Sequence, residues 1–285
     1  KKYFGHKKFR DGQSEIIDNI LEGNDILGIM PTGAGKSMCY QVPALMMDGI
    51  TIVISPLISL MIDQVNSLVQ SGVAAAYINS SLTLAQQNKV VSNIYKGMYK
   101  IIYVAPERLE LAGFIRVAQT VKISMITIDE AHCVSMWGHD FRKSYGLIAE
   151  FIDNLRIRPV VTAFTATATE VVRKDVINLL KLRNPYICIG SFDRENLEIK
   201  LYIEEDKLEL VKDIIREREG ESGIIYCATR KEVDGLYYYL KDLGYDVLKY
   251  HGGLKDSEKE FYQDEFLNEN SNVMIDNKCI WNGDR

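Results

Sequence analysis

The sequence has few cysteines and no long apolar run. Its longest apolar runs, such as residues 50–54 and 123–128, are as long as strands and far short of the ~20 residues that a membrane span needs. The five cysteines are odd in number, widely scattered and free of any C-x-x-C pair, which argues against a disulfide framework and against a zinc site. We therefore expect a soluble protein of a reducing compartment, without a membrane segment or a secretory signal.

The sequence also lacks a large excess of charge of either sign. The chain has 34 basic and 39 acidic residues, a net charge of -5, so contact with nucleic acid would need a local groove instead of a generally basic surface. With 285 residues, 47% of them hydrophobic, the chain is long enough for one full domain and a smaller second one.

Short β-branched runs alternate with segments whose apolar residues recur at helical spacing. We predict strands at residues 25–30, 51–54, 74–78, 100–104, 123–128 and 160–164. We predict helices at residues 13–21, 37–47, 57–69, 83–95 and 171–180. Such alternation predicts a parallel sheet with helices on both faces and with ligands at the carboxyl ends of the strands.

After about Asn184 the pattern restarts. Strands are predicted at residues 198–202, 223–227, 246–250 and 272–275, and helices at 207–218, 231–243 and 257–268. We therefore predict a first lobe at 1–190, a connector that acts as a hinge at 191–197, and a second α/β lobe at 198–285.

A glycine-rich segment follows the first strand and opens a helix. It matches the P-loop pattern G-x-x-x-x-G-K-[ST] except that Met30 stands at the first glycine position. Backbone amides would hold the phosphates of a nucleotide, Lys36 would reach the terminal phosphates, and the Ser37 hydroxyl would bind Mg²⁺. A simple glycine-rich strand-to-helix turn is the alternative. The predicted nucleotide-binding residues of this segment are Thr32, Gly33, Ala34, Gly35, Lys36 and Ser37.

Two adjacent carboxylates follow the buried-strand pattern at 123–128. Asp129 can bind Mg²⁺, and Glu130 can orient and deprotonate an attacking water. Alone, such a pair would more often be a solvated loop or a helix cap, but the P-loop favours a catalytic site. We predict Lys36, Asp129 and Glu130 as catalytic residues, with Ser37 and Asp129 as the metal ligands.

Residues 131–142 read AHCVSMWGHDFR, a loop rich in aromatic side chains close to Glu130. Trp137 and Phe141 can stack on bases of any identity, and Arg142 can meet a phosphate or a base. Core packing of the two aromatic rings is the alternative. Together with the P-loop and the acidic pair, this loop resembles that of the RecQ group of superfamily 2 helicases, and the resemblance extends over nearly the whole chain.

The resemblance implies roles that spacing alone does not. In residues 4–13, Gln13 would bond the adenine edge, while Arg10 and His6 would stack on the ring. Segments 55–64, 103–109, 164–169, 224–230 and 250–254 resemble motifs that contact nucleic acid or couple it to hydrolysis. A capped helix after a strand is an equal alternative for 55–64. The predicted DNA-binding or coupling residues are Ser55, Pro56, Ser59, His132, Trp137, His139, Phe141, Arg142, Thr165, Thr167, Arg230 and His251.

The resemblance implies an α/β fold of two RecA-like (P-loop NTPase) lobes with parallel sheets. It also implies two further motifs after the strand at 272–275, and residues 276–285 match neither, so we expect an incomplete second lobe. One missing motif carries arginines worth about 10³ to 10⁵ in hydrolysis rate. We therefore expect the chain to bind ATP and to hydrolyse it weakly.

The function implied is an ATP- and Mg²⁺-dependent DNA helicase with 3′ to 5′ polarity that opens and closes its two lobes during hydrolysis. Its expected partners are single-stranded DNA and duplex junctions. We expect a monomer or a weak oligomer that acts in DNA repair and recombination. The expected location is the cytoplasm, at the bacterial nucleoid, or a eukaryotic nucleus. Two alternatives remain open: an RNA helicase of the same superfamily, and an ATP-gated DNA clamp or remodelling module without strand separation.

Overall fold

The structure is a computed structural model that describes residues 3–5, 8–138, 140–191, 197–203 and 206–277. The chain divides into two compact units, residues 1–195 and 196–284. The predicted connector at 191–197 spans this boundary, and its residues 192–196 lie outside the described residues. No helix in the described ranges is both long and apolar enough to cross a bilayer.

The first unit is built on a seven-stranded parallel sheet in the order β3-β4-β2-β5-β6-β1-β7. Its strands are β1 (Ile26–Ile29), β2 (Ile50–Ile54), β3 (Ala75–Ile78), β4 (Ile101–Val104), β5 (Ile123–Ile128), β6 (Val160–Thr165) and β7 (Tyr186–Ile189). Its helices are α1 (Gln13–Leu21), α2 (Lys36–Met46), α3 (Ile58–Gln70), α4 (Leu84–Tyr95), α5 (Ala112–Ala118), α6 (Leu147–Asp153) and α7 (Glu170–Leu179). Short 3₁₀ turns lie at Pro106–Arg108, Ala131–Val134 and Lys143–Gly146.

Both faces of this sheet are buried. Ile52 and Ile54 belong to one apolar cluster, and Val53 between them belongs to a second, because successive side chains of a strand point to opposite faces. The β1–β6 pair also depends on a glycine, since a Cβ at Gly28 would lie 2.6 Å from the ring of Phe164. The predicted parallel sheet covered on both faces is confirmed.

Local signals set several helix starts. Thr83 accepts a hydrogen bond from the backbone amide of Gln86, whose side chain bonds back to Thr83, and together they form a capping box at α4. Thr169 caps α7 by accepting from Val172 at 3.3 Å. The helices α5 and α6 and the edge strand β7 were not predicted. The two helices have seven residues each and β7 has four, and β7 is also largely exposed. Each element is therefore too short to show a clear periodicity of apolar residues.

The second unit contains, within the described residues, a three-stranded parallel sheet in the order β8-β10-β9. Its elements are β8 (Gly223–Tyr226), β9 (Val247–Tyr250), β10 (Val273–Asp276), α8 (Lys207–Glu217), α9 (Arg230–Asp242) and α10 (Asp256–Leu267). The core packs Val233 and Leu240 of α9 against Val247 and Ile275. Both units are therefore α/β with parallel sheets, as predicted.

The predicted strand at residues 198–202 is wrong. Residues 197–203 form no strand, and Ile199, Leu201 and Ile203 are 96%, 87% and 92% exposed. Their alternation with polar residues satisfies the sequence criterion for a strand, but a strand also needs a neighbour to hydrogen-bond, and no described segment pairs with this one.

Candidate active site

The P-loop leaves β1, which lies between β6 and the edge strand β7, at the carboxyl edge of the first sheet. The Met30 amide donates to the Thr165 carbonyl of the neighbouring strand β6 at 3.0 Å, which fixes the start of the loop. Gly33 and Gly35 have φ values of 82° and 83°, a region that side-chain-bearing residues rarely adopt. The loop ends at α2, whose first-turn amides have no partner within the helix, so the segment can bind an anion.

Three side chains lie against this loop. Lys36 Nζ donates to the Met30 carbonyl at 3.2 Å. Gln13 is buried, and its Nε2 donates to the carbonyls of Ala34 at 3.3 Å and Gly35 at 3.1 Å. The Arg10 guanidinium donates to the Gly33 carbonyl.

Gln13 and Arg10 are thus placed at the P-loop, and their contact with adenine remains a prediction. His6, predicted to stack on the base, lies outside the described residues. Thr32 and Gly33 are exposed at the tip of the loop, whereas Ala34 and Ser37 are half-buried.

The acidic pair follows β5 at the same edge of the sheet. The Asp129 amide donates to the Ile54 carbonyl at 2.8 Å, and the Glu130 amide donates to Asp129 Oδ1 at 3.0 Å. Burial, and next the charge of Glu130, raise the pKa of Asp129 to about 7, while Lys36 opposes the rise. Glu130 has a φ of 47°, in the left-handed region.

This donor set fits Mg²⁺. The Asp129 carboxylate is desolvated, the Ser37 hydroxyl lies in the first turn of α2, and Mg²⁺ prefers oxygen ligands. A divalent cation would also offset the repulsion between Asp129 and Glu130. Bound with ATP, it would neutralise charge on the phosphate oxygens.

His132 connects the acidic pair to β6. It is buried, and its Nδ1 lies 2.8 Å from Thr165 Oγ1 and 3.3 Å from Glu130 Oε2. Thr165 Oγ1 also donates to the Thr167 carbonyl at 3.1 Å, and the Thr167 side chain is exposed. The predicted coupling residues His132 and Thr165 are therefore in direct contact.

The aromatic-rich loop presents its large side chains to solvent. Trp137 is 78% exposed and Phe141 is 42% exposed, so neither is a core aromatic. Ser135 anchors the loop, because its Oγ donates to Asp175 at 2.6 Å and accepts from the Trp137 amide at 3.1 Å. His139, a predicted coupling residue, lies outside the described residues.

Arg142 ties this loop to the segment after β2. Its guanidinium donates to Asp140 Oδ2 at 2.9 and 3.1 Å, and to the Pro56 carbonyl at 3.1 Å. Ser55 and Ser59 are 1% and 7% exposed, so they could reach a nucleic-acid backbone only after local rearrangement. Of the three residues predicted here, Pro56 is the most accessible.

Sequence reasoning missed three supporting residues. Tyr145 donates its hydroxyl to the Asp129 carbonyl at 2.8 Å, Asp175 accepts from Ser135, and Asp140 holds Arg142. Asp140 could have been found, because it lies two residues before a predicted contact. Tyr145 and Asp175 reach the site only through the tertiary fold.

The two predicted residues of the second unit differ in accessibility. Arg230 is exposed at the first position of α9, whereas His251, which follows β9, is 6% exposed. An exposed guanidinium can meet a phosphate directly, whereas a buried imidazole could do so only after local rearrangement, and both DNA contacts remain predictions.

Comparisons with known proteins show the family of the chain. Residues 10–175 match the DEAD/DEAH box helicase family, and residues 206–283 match the helicase conserved C-terminal domain. The ATP-dependent DNA helicase RecQ of Bacillus subtilis (strain 168) is 44% identical over 96% of this chain and 46% of its own length. The RecQ of Pasteurella multocida (strain Pm70) is 42% identical over 95% of this chain and 43% of its own length. The chain thus spans less than half the length of these relatives.

Solved structures show the same fold at low identity. The DUF1998 helicase MrfA bound to DNA superposes with a TM-score of 0.76 at 16% identity, covering 98% of this chain and 43% of that one. The Mycobacterium smegmatis helicase Lhr, bound to ssDNA and AMP-PNP, gives 0.67 at 16% identity over 95% of this chain and 40% of that one.

Proposed function

The chain belongs to the DEAD/DEAH box helicase family. From this premise we propose that it is the motor core of an ATP-dependent DNA helicase of the RecQ group, a proposal that its similarity to RecQ proteins supports. The observation that carries the proposal is the connection between a nucleotide site and exposed stacking side chains. Glu130 contacts His132, and Trp137 follows five residues later with its ring in solvent.

The residues have distinct tasks in this proposal. The P-loop amides and Lys36 bind the ATP phosphates, and Ser37 and Asp129 hold Mg²⁺. Glu130 orients the attacking water and accepts its proton. Gln13 and Arg10 sense the base while they brace the P-loop.

Single-stranded DNA is the proposed activator. Trp137 and Phe141 would stack on bases without reading their identity, and Arg142 would meet the backbone. Because His132, near the start of this loop, contacts both Thr165 and Glu130, a change at the loop would reach Glu130 through direct contacts. We further propose 3′ to 5′ movement and a role in DNA repair and recombination, at the nucleoid or in the nucleus.

The proposal is tested by steady-state ATP hydrolysis with single-stranded DNA, with RNA of matched sequence, and without nucleic acid. A Lys36→Ala variant measures contaminating activity. Stimulation by DNA and not by RNA is the expected result. Equal or greater stimulation by RNA would favour an RNA helicase, since only contacts sensitive to the 2′-hydroxyl separate the two polymers.

Strand separation needs its own assay. Duplexes with a single-stranded overhang at either the 3′ or the 5′ end are mixed with protein and ATP, and release of the labelled strand is followed. Unwinding of only the 3′-overhang substrate supports the proposed polarity. ATP-dependent DNA affinity with no release of either strand would indicate a clamp or remodelling module instead.

A further inference from the structure

A polar network lies beneath the Gly252–Gly253 turn of the second unit. His251 Nδ1 accepts a hydrogen bond from the Gly253 amide at 3.1 Å, and His251 Nε2 lies 3.3 Å from Asp234 Oδ1. An imidazole nitrogen that accepts from an amide carries no proton, so Nε2 must be the protonated nitrogen and must donate to Asp234. Both ring nitrogens are therefore engaged within the protein, in a side chain that is 7% exposed.

Asp234 is held in place from a second direction. Lys249 Nζ donates to Asp234 Oδ1 at 2.6 Å, and this bond holds the pKa of Asp234 below its ordinary value. Lys249 lies in β9 and His251 directly follows the strand, and both side chains reach the same oxygen of Asp234 on α9. The Lys249 ammonium also lies 5.0 Å from the Tyr237 ring centroid and 4.7 Å from that of Tyr238. The acceptor of His251 is thus a carboxylate held in place by the buried ammonium of Lys249.

Arg230 covers the turn that this network holds. A Cβ at Gly252 would lie 3.2 Å from Arg230 Nη2, and one at Gly253 would lie 3.5 Å from Arg230 Cδ. The guanidinium therefore rests on bare backbone, at a distance that a side chain on Gly252 would disturb. Arg230 is exposed and makes no ion pair with any residue in the described ranges, so its charge is available to an anion.

We propose that His251 is a positioning residue and not a DNA contact. With Asp234 and Lys249 it orders the Gly252–Gly253 turn, and the ordered turn seats Arg230, which binds one phosphate of the single strand. This inference rests on the proposed function, and it reassigns the role that sequence resemblance implied for His251. It also adds Asp234 and Lys249, which no motif singled out.

A double-mutant cycle tests the dependence of Arg230 on His251. Affinity of the 285-residue chain for a fluorescein-labelled oligothymidylate is measured by anisotropy over a series of salt concentrations. Arg230→Gln should weaken binding about tenfold or more. It should also reduce the slope of log affinity against log salt by about 0.7, the value for one phosphate contact to a single strand.

His251→Ala should weaken binding in the natural background and should have no further effect in the Arg230→Gln background, because both changes remove the same contact. His251→Asn, whose Oδ1 can still accept from the Gly253 amide, should restore affinity. Asp242→Asn, an exposed residue near the end of α9, serves as the control and should change nothing. Thermal unfolding of each variant identifies any that fail to fold, and Asp234→Asn then replaces His251→Ala, since it keeps the shape of the acceptor.

Each outcome decides a separate point. Additive losses from Arg230→Gln and His251→Ala would mean that His251 contacts the strand itself, and would overturn the inference while leaving the helicase proposal intact. An unchanged salt slope in Arg230→Gln would remove the phosphate contact. A natural chain with no affinity for the oligonucleotide would remove both the inference and the proposed function.

Discussion

Replacing Trp137 with alanine should separate folding from nucleic-acid binding at the aromatic-rich loop. The side chain is 78% exposed, so its removal takes little apolar surface out of the core, and the free energy of unfolding should change by no more than about 0.5 kcal/mol. The loop backbone is held by Ser135, which bonds Asp175 and the Trp137 amide, and these bonds do not need the indole ring.

The loss of binding free energy in Trp137→Ala should be larger than its change in the free energy of unfolding. Stacking of one base on an aromatic ring is worth about 1 to 3 kcal/mol, so affinity for single-stranded DNA should fall about 5- to 150-fold. Because the loop is proposed to transmit occupancy to Glu130, the DNA concentration that half-activates ATP hydrolysis should rise by a similar factor. Hydrolysis in the absence of DNA should be unchanged.

The assay compares Trp137→Ala with Met136→Ala. Met136 is the preceding residue and is 77% exposed, so the two changes remove equally accessible apolar side chains, only one of them aromatic. Anisotropy gives affinity, phosphate release gives activation, and thermal unfolding gives stability. If both variants lost affinity equally, general loop contacts and not stacking would be responsible. If Trp137→Ala lost none, the loop would not be a DNA-binding element.

Three further predictions concern the first unit. Lys36→Ala should reduce ATP hydrolysis to background in a phosphate-release assay, and unchanged turnover would refute the P-loop assignment. Burial raises the pKa of Asp129 from 3.8 to about 7, so ionisation of Asp129 should destabilise the fold as the pH rises through that range. In thermal unfolding at pH 8 with EDTA, Asp129→Asn should therefore be more stable than the natural chain, although it should be catalytically inactive. Equal stability of the two proteins would contradict the burial of Asp129. Asp25 accepts two hydrogen bonds from Arg158, so Asp25→Ala should lower the free energy of unfolding by about 3 to 5 kcal/mol in denaturant unfolding. Asp48 forms an exposed ion pair with Lys122, so Asp48→Ala should leave the unfolding midpoint unchanged. Similar effects of the two changes would contradict the distinction between a buried and an exposed ion pair.

The sequence was most informative where chemistry requires contiguous residues. A P-loop must place Lys36 and Ser37 directly after its glycines, so spacing alone located them, and the buried strand before Asp129 put that carboxylate at the same sheet edge. Supporting contacts carry no such local constraint. Tyr145 bonds the Asp129 carbonyl from a 3₁₀ turn sixteen residues further along the chain, and only the folded structure could reveal it.

The prediction from sequence failed where a pattern indicates which face of an element is apolar but not which element lies next to it. Residues 197–203 alternate correctly for a strand, yet strand formation depends on a partner elsewhere in the chain. The predicted DNA contact of His251 stays a prediction, and it shows the same dependence on residues distant in the chain. Its identity is consistent with a DNA contact, but whether a histidine faces solvent or bonds inward depends on Asp234, which Lys249 also bonds, and neither of these residues belongs to a motif.

The geometry around Gly138 bears on how DNA occupancy could reach the hydrolytic residues. A Cβ at this position would overlap the carbonyl oxygen of His132, so the loop backbone lies directly on the turn that carries that histidine. The Gly138 amide also donates to Ser135 at 3.0 Å. A packed backbone of this kind cannot absorb displacement by compressing. If stacking on Trp137 displaced the Gly138 backbone, that displacement would move His132, and with it the contacts to Glu130 and Thr165, which gives the proposed coupling a route through adjoining atoms.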